Sequence, residues 1–266
     1  ALTLTGLLAA SLGLSAFADD AANVATLTEQ QVTKHLVMAE SLDVPDAEFS
    51  FAVTAVTADA PAVTIGSISY SSADDKGTLS TEGVYTVDKN AEITFGTFPH
   101  AGTYEYTVTE TTGSAEGITY DSTSYTMTVY VANGSDGALA VQRIIVEADN
   151  GKQYELSFTN TYCKNGSLTI TKNTEGDLAD KTKDFAFTIT FIKSGTESDS
   201  VTSYTGKIGE EPIECTIGQE TSFYLHDGES LVFDDLPVGT RYVVTEVAAA
   251  DGYTPSVSVI ENGVQT

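Results

Sequence analysis

Tryptophan, cysteine, histidine and basic residues are absent or scarce in this sequence, which excludes several classes of function. Its 266 residues include no tryptophan, two cysteines and three histidines, which excludes a disulfide-rich scaffold and leaves little material for a metal site. Only 12 lysines and arginines stand against 38 aspartates and glutamates, for a formal net charge of -26. Because nucleic-acid affinity comes largely from basic side chains, this balance argues against a nucleic-acid partner. It also argues against docking on an anionic lipid surface.

The residues that are abundant favour β-sheet. The chain has 13 tyrosines and 11 phenylalanines, it is rich in threonine and valine, and charged residues make up only 19% of it. β-branched and aromatic side chains suit the pleated, half-buried surface of a strand. Short alternating runs are separated by clusters of Gly, Asn, Asp and Ser, as in residues 71–77 and 133–137, and no long amphipathic helix is evident. This spacing predicts an all-β chain built as an antiparallel β-sandwich.

The first 18 residues form an uncharged apolar run that closes on Ala16-Phe17-Ala18. Small residues two positions apart after such a run are typical of a signal-peptidase site, so residues 1–18 are predicted to be part of a signal peptide. A membrane-spanning helix is the alternative, but the run is short for a span and two glycines interrupt it. The mature protein is then expected to start near Asp19, outside the cytoplasm.

An internal repeat runs through the rest of the chain. Residues 93–110 and 231–246 each contain an apolar strand, a turn carrying Pro and then Gly, and a second strand that ends in Val-Thr-Glu. Two copies of one domain explain this most simply. We expect a first domain at 19–162 and a second at 163–266, joined in line by a short linker.

The sequence ends shortly after Asn262-Gly263, a dipeptide that favours a hairpin turn. A sequence that stops at Thr266, just past a turn, leaves the second domain without a final strand. The second domain is therefore expected to be C-terminally truncated.

Three polar residues occupy apolar faces of predicted strands in the first copy. Residues two apart in a strand share a face, and by this rule Lys34, Glu110 and Asn160 each lie among apolar neighbours. The second copy repeats two of them in phase, with Lys172 and Glu246 at a nearly equal separation. Any one of these could be a strand-end side chain that reaches water. Their recurrence in both copies favours a shared chemical role.

Burial predicts what that role is. A buried amine tends to lose its proton and a buried carboxyl tends to keep its own. A neutral Lys amine is a nucleophile, and a protonated Glu that hydrogen-bonds an amide oxygen would polarise the carbonyl and move protons to the departing ammonia. The expected product is a Lys–Asn isopeptide bond, made once. This is self-modification without turnover, and it needs no cofactor or metal.

The motifs in order resemble the isopeptide-linkage domains of Gram-positive major pilins. The resemblance covers about residues 28–266 and rests on VTK, YTVTE, LSFTN and YVVTE, together with HDGES at 226–230 and LPVG at 236–239. It implies two tandem immunoglobulin-like, CnaB-like sandwiches. In that family a Lys on the first strand bonds an Asn on the last, promoted by a Glu on an intervening strand.

Carried over by motif, the resemblance makes Lys34 the amine, Glu110 the catalyst and Asn160 the acceptor. In the second domain, Lys172 matches the amine and Glu246 matches the catalyst. No acceptor Asn is visible there, since Asn262 reads better as a turn residue because Gly263 follows it. We therefore expect that the second bond cannot form in this sequence and that the second sheet has an open edge.

Resemblance to major pilins also implies assembly by a sortase into a pilus at the cell wall or cell surface. The partners would be other pilin subunits and the sortase, with membrane contact only in transit through signal and sorting segments. Lys152 lies near the position of the family's acceptor Lys, although Gln153 is an alternative at that position.

Other interpretations are compatible with these motifs. The main rival is a non-polymerised, cell-wall-anchored adhesin or stalk module with the same cross-linked sandwiches. A Ser-His-Asp hydrolase is disfavoured. Two of the three histidines fall in predicted turns, and His35 lies on the strand face opposite to that of Lys34. Acidic pairs at 74–75 and 234–235 lack EF-hand spacing and read as solvated surface. Whether Cys163 and Cys215 pair is left open.

Overall fold

The structure is a computed structural model that describes residues 30–247 and 252–265. Within these ranges the chain forms 21 β-strands and no helix. The described residues accordingly offer no helical segment with the length and apolar character needed to cross a membrane. The all-β class predicted from composition and strand spacing is confirmed. The predicted signal peptide at residues 1–18 lies outside the described residues.

The first half of the described chain contains twelve strands. They are β1 (Gln31–Ala39), β2 (Ala47–Phe49), β3 (Phe51–Ala55), β4 (Val63–Ile65), β5 (Ile68–Tyr70), β6 (Val84–Phe95), β7 (Gly102–Glu110), β8 (Ile118–Thr119), β9 (Ser124–Asn133), β10 (Leu139–Ala148), β11 (Gly151–Gln153) and β12 (Leu156–Tyr162). One five-stranded sheet has the order β4-β6-β1-β12-β8, and the other has the order β11-β10-β9-β7-β3. Strands β2 and β5 pair separately.

The core of this half lies between the two five-stranded sheets. Successive side chains of a strand point to opposite faces of its sheet. In β1 every second side chain from Val32 to Met38 is buried, and β7 and β9 alternate in the same way from the opposing sheet. The two inner faces meet in one apolar cluster, which includes Val32, Ile93, Tyr104, Tyr106, Met127, Val129, Leu156 and Phe158. The predicted β-sandwich is therefore confirmed.

Strands β1 and β12 lie side by side and parallel in the middle of the first sheet. Their register sets Lys34 beside Phe158 and Leu36 beside Asn160. On its other side, β1 pairs with β6 in antiparallel fashion. Parallel neighbours need a long crossover, and here the entire second sheet lies between β1 and β12 in the chain. This topology brings the start and the end of the sandwich into contact.

The second half contains nine strands. They are β13 (Asn165–Thr171), β14 (Phe185–Ile192), β15 (Ser203–Ile208), β16 (Glu211–Thr216), β17 (Thr221–Leu225), β18 (Ser230–Pro237), β19 (Arg241–Glu246), β20 (Ile260–Glu261) and β21 (Val264–Gln265). One sheet has the order β13-β18-β15-β16 and another has the order β17-β14-β19, with the β20–β21 hairpin separate. Side chains from the two larger sheets share a core that includes Phe187, Ile189, Phe191, Phe223, Leu231 and Phe233.

The two halves use the same strand pairings where their sequences match. The antiparallel pair β1–β6 corresponds to β13–β18, and the pair β3–β7 corresponds to β14–β19. The repeated segments therefore have the same place in both halves.

The second half differs at its edges. Strands β13 and β19 each end their sheets in the described part of the chain, whereas β1 and β7 have neighbours on both sides. The expected open edge is therefore present at β13. Tyr242 lies on the same face of β19 as Val244 and Glu246 but is not buried. Tyr242 is 45% exposed, because β19 has a neighbour on one side only.

Candidate functional site

The structure brings Lys34, Glu110 and Asn160 together inside the first sandwich. Lys34 and Asn160 point inward from the adjacent strands β1 and β12, and both residues have no exposure to solvent. Glu110 is the last residue of β7 in the opposing sheet, and its side chain is fully buried. The three side chains therefore meet across the core, where the two sheets face each other.

One carboxylate joins the amine and the amide. Lys34 Nζ lies 3.3 Å from Glu110 Oε2, and Asn160 Nδ2 donates to Glu110 Oε1 at 2.8 Å. Lys34 Nζ also donates to the Phe158 carbonyl at 3.2 Å. No buried side-chain nitrogen or oxygen in the described residues lacks a hydrogen-bond partner. The polar cluster is thus internally satisfied and needs no water.

Apolar and aromatic groups enclose the amine. Its Nζ lies 4.9 Å from the centre of the Phe49 ring. The hydroxyl of Tyr70, on β5, donates to the carbonyls of Lys34 at 2.8 Å and Val87 at 3.1 Å. These bonds connect β5 to the backbone of β1 and β6. These contacts hold Lys34 in place and exclude solvent from it.

Burial moves both ionisable groups toward their neutral forms. It lowers the pKa of Lys34 from its ordinary value of 10.5 to about 8, although the Glu110 carboxylate acts in the opposite direction. It raises the pKa of Glu110, against the opposing effects of the Lys34 amine, the hydrogen bond from Asn160 and the nearby backbone N–H of Asp121. A larger share of the amine is therefore unprotonated near neutral pH than in an ordinary lysine.

The amide of Asn160 has a defined orientation. The backbone N–H of Asp121, in the loop between β8 and β9, donates to Asn160 Oδ1 at 2.7 Å. A backbone N–H can only donate, so the atom facing it is the amide oxygen and the amide nitrogen must face Glu110. The reaction predicted from the sequence has Glu110 bonded to the amide oxygen. The structure instead places Glu110 on the nitrogen and Asp121 on the oxygen.

Sequence reasoning missed Asp121 because it lies in a loop, where strand periodicity carries no information. The available signal was local. Asp121 Oδ1 accepts from the Thr123 N–H at 2.8 Å, an Asx-type turn that an Asp followed two residues later by a backbone donor can form. That signal predicts a turn and not a contact with Asn160.

The second half holds a related but more open pair. Lys172 Nζ lies 2.9 Å from Glu246 Oε1, and the two side chains are 13% and 19% exposed. The Phe185 ring centre lies 4.1 Å from Lys172 Nζ. In the part of the chain that the structure describes, no Asn side chain contacts either residue. Asn262 is exposed in the β20–β21 turn with a φ of 51°, as expected of a turn residue.

Lys152 is an exposed residue of β11. Across the described ranges it is the one lysine whose side chain has no hydrogen bond, ion pair or ring contact. Its neighbour Gln153 donates instead to Asn150 Oδ1 at 2.6 Å and to the Gly151 carbonyl at 3.0 Å. The amine of Lys152 is therefore free in solution, whereas the Gln153 side chain is engaged.

Other candidate chemistry does not assemble. His35 contacts Asp88, His100 contacts Asp59, and none of the described histidines contacts a serine. The residues that the structure covers include no group of His, Cys, Asp and Glu arranged to hold a metal ion. Cys163 and Cys215, whose pairing the sequence left open, are both free thiols.

Comparison with known proteins agrees with this geometry. Residues 30–163 match the model of the Spy0128-like isopeptide containing domain, and residues 166–266 match a domain of unknown function (DUF7601). A pilin of Streptococcus pyogenes serotype M1 is 32% identical over 248 residues, covering 86% of this chain and 70% of the relative. The pilus tip adhesin Cpa of Streptococcus pyogenes is 43% identical over 84 residues, covering 32% of this chain and 12% of the adhesin.

Among solved structures, the major pilin T3.2 of Streptococcus pyogenes is 27% identical with a TM-score of 0.45, covering 86% of both chains. The major pilin T-13 of the same species is 27% identical with a TM-score of 0.43, covering 87% of this chain and 86% of that one. The family model matches half of the chain, and the pilin is 32% identical over 86% of it. These two matches establish the family of the chain. The chain belongs to the Spy0128-like isopeptide containing domain family of structural pilin subunits.

Proposed function

We propose that this protein is a shaft subunit of a surface pilus whose first domain is locked by an isopeptide bond between Lys34 and Asn160. The observation that carries this proposal is the Glu110 carboxylate, which is buried and touches the Lys34 amine with one oxygen and the Asn160 amide nitrogen with the other. Family membership supports the same assignment.

The reaction is a condensation that loses ammonia. The neutral Lys34 Nζ attacks Asn160 Cγ, a C–N bond forms, and the amide oxygen gains negative charge. Glu110 takes a proton from the attacking nitrogen and delivers one to Asn160 Nδ2. The Cγ–Nδ2 bond then breaks and ammonia leaves. The protons gained and lost by Glu110 balance, so the carboxyl returns to its starting state.

The enclosed site favours this reaction in two ways. The sandwich holds amine and amide on neighbouring strands, which replaces a bimolecular encounter by a fixed approach. The apolar surroundings keep the amine partly unprotonated and keep water away from the intermediate. Each folded chain reacts once, because the product is part of the protein itself.

The position of the bond suits a tension-bearing shaft. Strands β1 and β12 are the first and last of the sandwich, and the bond joins them directly. Force applied between the ends of the domain is then carried by a covalent link and not by the hydrogen bonds of the strands. The amide link also resists reduction, unlike a disulfide.

We further propose the division of the mature chain into domains at 19–162 and 163–266. Two observations support it. Strand β12 ends at Tyr162 and β13 begins at Asn165, and the two matching family models cover 30–163 and 166–266. Limited proteolysis tests this division, because stable fragments should separate between β12 and β13.

A sortase is proposed to link subunits through Lys152, at the cell wall of a Gram-positive cell. The support is the exposure of Lys152, whose side chain has no contact with the other described residues that would have to break. In cells that coexpress the complete subunit and its sortase, Lys152→Ala should abolish denaturant-resistant ladders. The matched control is Lys164→Ala, which removes another exposed lysine. Ladders that persist in Lys152→Ala would assign the acceptor elsewhere.

A non-polymerised adhesin or stalk module is the second candidate. The similarity of 84 residues to a pilus tip adhesin favours it. It shares the fold and the cross-link with the first candidate. A complete subunit that carries the cross-link but never forms ladders with its sortase would support this alternative.

Intact mass tests the cross-link itself. The purified chain should be lighter than its sequence by the mass of one ammonia, and a tryptic digest should yield the peptides around Lys34 and Asn160 as one species. Asn160→Ala should have the full mass calculated for its sequence. Well-folded wild-type chain at full mass would contradict the proposal.

A further inference from the structure

We propose that the backbone N–H of Asp121 is the oxyanion donor of the condensation, and that the Asp121 side chain positions it. This inference rests on the proposed isopeptide reaction and assigns to it a catalytic group that the strand motifs do not contain. The loop between β8 and β9 would thus activate the carbonyl of Asn160, while Glu110 transfers protons at Lys34 Nζ and Asn160 Nδ2.

The contacts divide the reacting amide between two residues. Asp121 N lies 2.7 Å from Asn160 Oδ1, and Glu110 Oε1 lies 2.8 Å from Asn160 Nδ2. Glu110 Oε2 is already engaged with Lys34. Both oxygens of the carboxylate therefore face nitrogen atoms. Among the described contacts, the Asp121 N–H is the donor that reaches the amide oxygen.

This donor lies where charge develops. When Lys34 Nζ attacks Asn160 Cγ, the C=O bond becomes a single bond and its electron pair moves onto Oδ1. A hydrogen bond to that oxygen strengthens as the charge grows, in a site that water does not enter. As the Cγ–Nδ2 bond breaks, the electron pair on Oδ1 returns to re-form the carbonyl, and neutral ammonia leaves with the pair of the broken bond. The Asp121 N–H keeps its proton throughout.

The Asp121 carboxylate holds the donor in place. Its Oδ1 accepts from the Thr123 N–H at 2.8 Å and its Oδ2 accepts from the Thr159 N–H at 2.7 Å. Thr159 precedes Asn160 on β12. The side chain therefore joins the β8–β9 loop to the strand that carries the reacting amide. This second attachment orients the backbone N–H before the reaction begins.

The charge of Asp121 allows positioning to be separated from amine activation. The Asp121 carboxylate raises the pKa of Lys34, so its removal favours the neutral, nucleophilic amine. If Asp121 acted only through its charge, Asp121→Ala would speed the condensation. Loss of the positioning contacts predicts the opposite, a slower reaction.

The test replaces the amide that carries the Asp121 N–H by an ester, through incorporation of the α-hydroxy analogue of aspartate in the full chain. This change removes the donor and keeps the side chain. The matched control is the same replacement at Ser122, whose N–H makes no hydrogen bond in the structure. Each chain is refolded from denaturant at pH 8, and loss of ammonia is followed by intact mass.

We expect the ester at Asp121 to slow ammonia loss by ~100-fold or more, as removal of one oxyanion donor does in enzymes, while the ester at Ser122 reacts at the wild-type rate. Asp121→Ala should slow the reaction by a smaller factor, because it keeps the N–H. Ester variants at both positions that react as fast as wild type would overturn the inference. A wild-type chain that loses no ammonia would instead overturn the proposed function.

A second measurement does not depend on refolding of the ester. In Glu110→Gln, which is expected to stay unlinked, nuclear magnetic resonance should detect a scalar coupling between the Asp121 amide and Asn160 Cγ across the hydrogen bond. The Asp121 amide proton should also exchange slowly with solvent. A fast-exchanging Asp121 amide with no such coupling would overturn the inference.

Discussion

Lys34 Nζ lies 3.3 Å from Glu110 Oε2, and neither side chain has any exposure to solvent. An ion pair in this position would have to overcome the cost of removing two charges from water. Burial shifts the pKa of both groups toward neutrality, which lessens that cost and leaves a nucleophile beside a proton carrier. The arrangement is therefore better suited to reaction than to stabilisation by an ion pair.

Glu110→Gln separates proton transfer from packing. Glutamine keeps the shape of Glu110 but cannot take up and release a proton, and loss of the carboxylate lowers the pKa of Lys34 further. If the protonation state of Lys34 were the only requirement, this variant would react faster than the wild type. We expect condensation to slow by ~100-fold or more, because general acid–base catalysis contributes about that much. The measurement is intact mass after prolonged incubation at pH 8.

Glu105→Gln is the matched control for this variant. Glu105 lies on the same strand, β7, and is partly exposed on the opposite face. This variant should lose one ammonia as the wild type does. Loss of ammonia by Glu110→Gln at the wild-type rate would remove Glu110 from proton transfer.

The pH dependence of condensation should report the lowered pKa of Lys34. Only the neutral amine attacks, so the first-order rate should rise with pH and level off above about 8. A lysine with the ordinary value of 10.5 would continue to gain rate well beyond that point. Unreacted chain, refolded from denaturant at a series of pH values and quenched in acid, gives the rates by intact mass.

Folding must be faster than condensation at each pH for this profile to be meaningful. Tyrosine fluorescence of refolding Glu110→Gln provides that comparison. A rate that still increases tenfold per unit above pH 9 would show that the amine is not activated by burial.

The cross-link should stabilise the first domain strongly. A bond between residues 34 and 160 closes a loop of over a hundred residues, and the chain-entropy model for such a closure gives about 4–5 kcal/mol. We expect the linked wild type to exceed unlinked Glu110→Gln by about this amount in the free energy of unfolding, measured with guanidinium chloride. Reducing agent should not change the wild-type value, because both cysteines are free. Equal midpoints for the two chains would contradict this account.

The Lys172–Glu246 pair should behave as an ordinary ion pair in this 266-residue chain. Its side chains are partly exposed, and no described Asn contacts them. Wild type and Lys172→Ala should therefore show the same deficit of one ammonia against their calculated masses. Because the two side chains are only 13% and 19% exposed, the substitution should cost more than the loss of an exposed ion pair, over about 1 kcal/mol in unfolding free energy. A wild-type deficit of two ammonia molecules would refute this reading of the second half.

Strand periodicity was enough to find the three residues proposed to react, but not their geometry. Lys34, Glu110 and Asn160 each interrupt an apolar face, and side-chain alternation is a local property of a strand. The contacts among them depend on the parallel register of β1 and β12 and on the opposing sheet. Neither can be read from separate strands. Hence the expected contact of Glu110 with the amide oxygen was wrong.

The all-β class, the repeat and the burial of three polar side chains in the first sandwich follow from the sequence alone, because composition and a period of two are local properties. The folded structure was needed to show that Asp121 faces the amide oxygen and that the Lys152 side chain makes no contact with the other described residues. These features depend on which loops and strands become neighbours. That is a matter of chain topology, which the periodicity of individual strands does not encode.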